Sequence, residues 1–371
     1  MSFICPSRVL SLFSSSSVKK NAEVTLTLTN GEVLVWKGAK MNIIVPKCPL
    51  ATDSVQIVPN ASYIDYSRSS LENPISTNVK FAEWRNENHE EAQYLIQKVV
   101  QAWQKKGITD YLIYGKESAN STTGFSWEVV PYPKSFFRFW KQFKVLLNTT
   151  FGGAISPLIV RQRAAKVILK DLDMFSASPR EREQYNCNFI KDCVFCPQPQ
   201  AVEAVRTSKC TKITEGFLQL IFRVPKVKPN AVDRQLVFEG RTINVLYNYA
   251  PIAIGEGKLH FLIVPKSHCS KFSDLTKIEY LEAMALSQKL INFYKIKRYA
   301  TAYLFDKSGK EAGQTVPHWH EHIVFTNTKT QEFFGKLTVL RNMIFGSWPL
   351  SKMELTWRVV TLKKDLYNAL K

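Results

Sequence analysis

The chain has 371 residues, is 45% apolar and 22% charged, and carries a formal net charge of +19. The length suggests two or three domains, the composition is that of a soluble globular protein, and no apolar run approaches the roughly 18 residues of a membrane span. The charge points to an anionic partner, a nucleotide or a nucleic acid, or else serves solubility alone; with no long basic run, a dedicated nucleic-acid-binding tail is excluded.

Taken in order, the first twenty residues carry Arg8, Lys19, Lys20 and a serine run but no acid. That composition fits either an organellar leader or a simple N-terminal strand. Residues 22–34 alternate around Asn30-Gly31 and predict a hairpin; residues 41–45 predict a strand. Residues 53–73 are polar and predict a loop. Residues 90–104 place Leu95, Ile96, Val99, Val100 and Trp103 at helical spacing. Strands are predicted over 111–114 and 125–130, a helix over 136–147, and a helix or strand over 160–172.

A pattern then recurs. Phe143-Lys-Val-Leu-Leu-Asn-Thr-Thr-Phe-Gly-Gly153 aligns with Leu337-Thr-Val-Leu-Arg-Asn-Met-Ile-Phe-Gly-Ser347, and Lys170-Asp-Leu172 aligns with Lys364-Asp-Leu366 at the same spacing. Tyr111-Leu112 aligns with Tyr303-Leu304, and Ile44-Val-Pro-Lys47 with Ile263-Val-Pro-Lys266. An ordered series of matches reads as an internal repeat. The expected fold is therefore α+β, with two tandem units, residues 1–178 and 179–371, paired as a pseudo-dimer within one monomer. On this register Gly124, Ser126 and Glu128 stand where the second unit has His318, His320 and His322, and Pro49 stands at His268.

In the second unit, strands are predicted over 217–224, 235–238, 243–249 and 303–305, and helices over 278–294 and 331–342. Five of the six histidines fall between His260 and His322. Val316, Ile323, Val324 and Phe325 favour a strand, in which His318, His320 and His322 would share one face. His260 is as readily packed as functional. Seven cysteines without a framework spacing indicate a reducing compartment; the pair Cys193 and Cys196 suits either a metal site or a redox couple.

The run from Gly309 to Phe325, the segment Gly257-Lys-Leu-His-Phe-Leu-Ile-Val-Pro-Lys-Ser-His268 and the pair at Cys193 together resemble the histidine-triad superfamily. The tandem layout resembles the branch that includes galactose-1-phosphate uridylyltransferase and diadenosine-tetraphosphate phosphorylase, in which one unit is degenerate. The resemblance implies a cytoplasmic enzyme acting on a nucleotide at its α-phosphate. His320 would be the nucleophile and form a covalent nucleotidyl intermediate, with His322 beside the phosphate. Imidazole suits this role when its free nitrogen is unprotonated and aimed. Gln314 and Thr315, with backbone N–H groups, would meet the phosphate oxygens; Asn248 would reach the ribose, and Lys266 lies on the approach. The resemblance also implies a structural zinc held by Cys193, Cys196, His268 and His318, a set that fills a tetrahedral shell.

Two departures stand out. Glu321 occupies a place the family fills with an apolar residue, so an open face or a basic partner is expected there. A histidine at 322, where the uridylyltransferase and the phosphorylase have glutamine, tilts the reading toward hydrolysis of phosphoesters or phosphoramidates. A phosphorylase or sugar-1-phosphate nucleotidyltransferase remains an alternative, and so does a non-catalytic module binding nucleic acid or protein.

Overall fold

The computed structural model describes residues 26–28, 31–60, 79–118, 124–135, 138–173, 193, 195–196, 232–252, 258–296, 301–326, 337–342 and 347–371. The predicted strand over 217–224 and the predicted division at residue 178 lie outside these residues. No described helix is long and apolar enough to cross a membrane.

Eleven strands form one antiparallel sheet: β1 (Leu26–Thr27), β2 (Val33–Lys37), β3 (Met41–Val45), β4 (Val55–Pro59), β5 (Asp110–Ser118), β6 (Trp127–Tyr132), β7 (Leu236–Glu239), β8 (Ile243–Tyr247), β9 (His260–Pro265), β10 (Thr301–Ser308) and β11 (Glu321–Thr326). Their order is β1-β2-β3-β4-β6-β5-β10-β11-β9-β8-β7. Leaving β1 aside, the order reads alike from both ends, so β2 to β6 and β7 to β11 are two halves related by an approximate twofold. The halves meet at β5 and β10, whose ladder runs from Thr301 opposite Ser118 to Ser308 opposite Tyr111.

Helix α1 (Asn86–Lys105) buries Leu95, Ile96, Val99, Val100 and Trp103, the stripe its sequence predicts. Its counterpart is α4 (Lys277–Ile296). The entry to α4 is a capping box: Glu279 N–H donates to Thr276 Oγ1 at 3.2 Å, and Thr276 N–H donates to Glu279 Oε2 at 2.9 Å. Helices α3 (Leu158–Asp173) and α5 (Lys352–Leu370) bury Leu172 and Leu366, which the sequence repeat pairs. These four helices contribute to the main core on one face of the sheet. Helix α2 (Arg138–Phe151) places Val145 against Leu112, Val130 and Phe305 on the other face.

The two halves repeat small devices. Glu91 of α1 accepts N–H bonds from Ala39 and Lys40 at the β2–β3 turn, at 2.7 and 2.6 Å. Glu282 of α4 accepts them from Arg241 and Thr242 at the β7–β8 turn, at 2.5 and 2.7 Å. Each half also sends a glutamine across the twofold. Gln93 Nε2 donates to Leu275 O at 3.4 Å, and Gln288 Nε2 donates to Trp84 O at 2.9 Å.

The structure corrects three registers read from sequence. Residues 55–59 are a strand, not loop: Val55 and Ile57 face the core and pair with Val129 and Trp127. Strand β4 is thus the counterpart of β9, and Val55-Gln-Ile-Val-Pro59 matches Phe261-Leu-Ile-Val-Pro265. The match of residues 44–47 to 263–266 therefore fails, and with it the placement of Pro49 at His268, since Pro49 follows β3. Tyr111 and Tyr303 are not equivalent either. Tyr111 faces the helices and Tyr303 the opposite side, which is what a one-residue slip does to a strand.

Candidate active site and metal centre

The chemistry-bearing residues gather on the face of β9, β10 and β11 away from α1 and α4. Side chains alternate there: Ile323 and Phe325 join the helix-side core, while His322 and Val324 face the other way. Strand β11 begins at Glu321, so only His322 of the three histidines lies within it; His318 and His320 sit in the extended lead-in. The alternation holds nonetheless, and the His320 and His322 ring centroids are 4.9 Å apart.

His318 turns toward the cysteines. Its Nε2–H donates to the carbonyl of Pro265 at 3.0 Å, which leaves the Nδ1 lone pair directed to Cys193 Sγ at 3.3 Å and Cys196 Sγ at 3.7 Å. His268 Nδ1 lies 3.4 Å from Cys196 Sγ. The four ligand atoms fall within 4.8 Å of one another. Tetrahedral bonds of about 2.3 Å to sulfur and about 2.0 Å to nitrogen put ligand atoms roughly 3.5 Å apart, so the set fits a metal ion. Hydrogen bonding to Cys196, followed by His318 and opposed by burial, draws the Cys193 thiol down to about 3.

His320 is buried. Its Nδ1–H donates to the carbonyl of His318 at 2.7 Å, so Nε2 carries the free lone pair. Burial pushes the imidazole down to about 4, with the His318 carbonyl opposing. Phe195, between the two cysteines, lies against His318 and His320 with centroids at 5.7 and 5.3 Å. His322 stacks on Phe305 at 4.5 Å.

His260 completes the cluster. The backbone N–H of Ile252 donates to His260 Nδ1 at 3.2 Å, so the proton of His260 is on Nε2, which donates to His322 Nδ1 at 2.9 Å. That fixes the His322 proton on its own Nε2. Burial lowers both rings, His260 to about 3 and His322 well below the usual histidine range.

The loop from β10 to β11 is strapped at several points. Gly309 (φ 95°) and Gly313 (φ 89°) take left-handed backbone. A Cβ on Gly309 would meet the Asp110 carboxylate, whose Oδ2 accepts the Glu311 N–H at 2.8 Å. Asp110, from the first half, also pairs with Lys271 at 3.0 Å. Gln314 Oε1 accepts the Gly309 N–H at 2.7 Å, and its Nε2 donates to Ser270 O at 2.8 Å and weakly to His318 O at 3.4 Å. Thr315 is exposed on this loop.

The remaining sequence candidates are placed differently. Asn248 Oδ1 accepts the Ala250 N–H at 3.0 Å, and its Nδ2 rests 3.2 Å from His260 Nδ1. Lys266 pairs with Glu239 of β7 at 2.8 Å. Glu321 meets neither an open face nor a basic partner. It is buried on the helix side, where Oε2 lies 2.8 Å from Ser287 Oγ. Ser287 Oγ donates to this carboxyl and also lies 2.8 Å from Ala283 O. Burial, aided by Asp306 and opposed by Ser287, raises Glu321 to about 8. In the first half, Glu128 lies opposite Tyr114 as His322 lies opposite Phe305. Its carboxylate accepts from Leu50 N–H at 2.6 Å, Ser54 Oγ at 2.5 Å and Gln56 Nε2 at 3.2 Å.

Sequence reasoning left the role of His260 open and missed Phe195 and Phe305. The position of Phe195 inside the Cys-x-x-Cys pair was a usable signal; Phe305 depends on strand register.

Residues 231–329 match the family model of the HIT domain. Over 98 residues the chain is 35% identical to bis(5'-adenosyl)-triphosphatase of Saccharomyces cerevisiae, a match covering 25% of this chain and 44% of that protein. The chain thus spans less than half the length of this relative. Among solved structures it is similar to an ADP-glucose phosphorylase from Arabidopsis thaliana with bound ADP-glucose, at 10% identity and a TM-score of 0.41, covering 86% of this chain and 81% of that one. It is also similar to a GalT-like protein from Arabidopsis thaliana, at 9% identity and a TM-score of 0.40, covering 80% and 79%.

Proposed function

We propose that the chain is a nucleotide hydrolase or nucleotidyltransferase that works through a covalent nucleotidyl-His320 intermediate. The observation that carries this is the 2.7 Å hydrogen bond from His320 Nδ1–H to the His318 carbonyl, which commits one ring nitrogen and leaves Nε2 free beside His322. In the first step Nε2 attacks the α-phosphorus; the N–P bond forms, and the bond to the leaving group breaks with its electron pair on the departing atom. In the second, water or another acceptor attacks phosphorus, its proton passes to solvent, and the N–P pair returns to Nε2. His322 Nε2–H, fixed by His260, donates to a phosphate oxygen as charge develops. The loop of Gln314 and Thr315 adds backbone donors, with Gln314 holding the loop in shape.

The same reading assigns zinc to Cys193, Cys196, His268 and His318. Four protein ligands leave no open position, so this ion would tie the cysteine segment to the lead-in of β11 and hold the His318 carbonyl that orients His320. The units divide at about residue 178, and the first unit is a scaffold in which Glu128 stands in the place of His322.

The test is intact-protein mass spectrometry after brief, acid-free quenching with dinucleoside polyphosphates, nucleoside phosphoramidates and nucleotide sugars. A nucleoside monophosphate adduct lost in His320→Ala is the expected result. Wild-type turnover retained in His320→Ala would overturn the mechanism.

A further inference from the structure

Lys307 lies beside the triad, and nothing above gives it a role. It sits on β10, two residues after Phe305, on the same face. The β10–β11 ladder pairs Phe305 with His322 and Asp306 with Glu321. Continued one step, the register sets Lys307 across from His320. Its side chain runs beneath the loop, since a Cβ on Gly313 would come within 3.9 Å of Lys307 Cδ. The ammonium lies 5.8 Å from the Phe305 ring centroid. It is near enough that its charge further lowers the basicity of His260, His320 and His322. Lys307 is half-buried, and among the described residues no carboxylate pairs with it.

A charge inventory gives this lysine a task. The imidazoles of His260 and His322 beside it are held neutral by burial, so they offer lone pairs and N–H groups but no net charge. A lysine ammonium held deep beside apolar walls without a counter-ion is costly unless an anion arrives to meet it. The α-phosphate already has the His322 N–H and the loop amides. Among the described residues set against the triad, Lys307 is the cation that can meet additional negative charge carried by a phosphorylated leaving group.

We propose that Lys307 is a specificity-determining residue that receives the anionic leaving group, so that the preferred donors are nucleoside polyphosphate anhydrides rather than phosphoramidates with a neutral leaving group. As the α-phosphorus bond to the bridging oxygen breaks, the pair stays on that oxygen, and the ammonium compensates the added charge without transferring a proton. This rests on the nucleotidyl-transfer reading above.

The experiment compares Lys307→Met and Lys307→Arg with wild type on two donors sharing adenosine, diadenosine triphosphate and an adenosine 5'-phosphoramidate of a neutral amine. In Lys307→Met, kcat/KM on the triphosphate should fall at least about tenfold more than on the phosphoramidate, as expected for one charge-assisted contact. Lys307→Arg should recover most of the difference. Equal losses on both donors would overturn the proposal, as would no loss on either. If wild type turns over neither donor, the transfer reading fails, and calorimetry decides the anion site by itself. ADP binding more tightly than AMP in wild type, with that advantage lost in Lys307→Met, sustains it; equal affinities overturn it.

Discussion

His260 Nε2 and His322 Nδ1 stand 2.9 Å apart on neighbouring strands, and the direction of the proton between them is set from the far side of His260 by the Ile252 N–H. A backbone amide can only donate, so each imidazole in the chain has one possible tautomer. The donor offered to substrate by His322 is thus decided two groups away. His260→Phe keeps an aromatic ring and removes both nitrogens. We expect kcat to fall by about 10- to 100-fold, as when groups that orient a metal-bound imidazole are removed, with the thermal transition little changed. Activity within twofold of wild type would show that His322 needs no partner.

Metal occupancy is testable without substrate. The purified wild-type protein should contain one equivalent of zinc by elemental analysis, and Cys193→Ser or His268→Ala should reduce it to background. Loss of the ion should also lower the unfolding temperature, at roughly 2–4 °C per kcal/mol for units of this size. Full metal content in Cys193→Ser would remove that cysteine from the ligand set.

The loop carrying Gln314 is predicted to depend on a residue of the other half. Asp110→Ala removes the acceptor for the Glu311 N–H and the partner of Lys271. KM should rise by about tenfold, the equivalent of one charge-assisted hydrogen bond of roughly 1.5 kcal/mol. Asp110→Asn keeps the acceptor and should lie between Ala and wild type. An unchanged KM in Asp110→Ala would show that the loop holds its shape without the first half.

Above the range in which the buried histidines titrate on unfolding, Asp306 and Glu321 should make stability fall with rising pH. Burial raises Asp306 to about 7 and Glu321 to about 8. The folded chain therefore keeps protons that the unfolded chain releases above about pH 4. Their contribution is full below that pH, declines as pH rises through 7 to 8, and is flat beyond. Glu321→Gln should flatten the slope of denaturant-measured stability from pH 7 to 9. A slope equal to wild type would mean that Glu321 is ionised in the fold.

The histidine cluster and the Cys/His group beside it were legible because they are written locally, in alternate histidines and a Cys-x-x-Cys pair. The repeat was legible at Lys170-Asp-Leu172, because Leu172 and Leu366 are pinned in equivalent cores. It misled at Tyr111 and Tyr303, where neighbouring Tyr-Leu pairs look alike in sequence but face opposite ways. Strand β4 was hidden because its five residues adjoin a polar tract. Glu321 was expected to need an open face or a basic partner. Burial that holds the acid protonated beside a serine satisfies the same requirement, and nothing in the sequence announces it. Lys307 could not be read at all, since its neighbours are set by a cross-strand register.

The meeting of β5 and β10 has a genetic consequence. When two copies of one polypeptide pair about a true dyad, each codon change appears on both sides, and no site can drift without its twin. Here the two sides have separate codons. Glu128 could therefore settle where its partner side keeps a histidine, and Asp110 could be recruited to brace a loop in the opposite half. The two sides of one chain can therefore differ, each open to selection on its own terms.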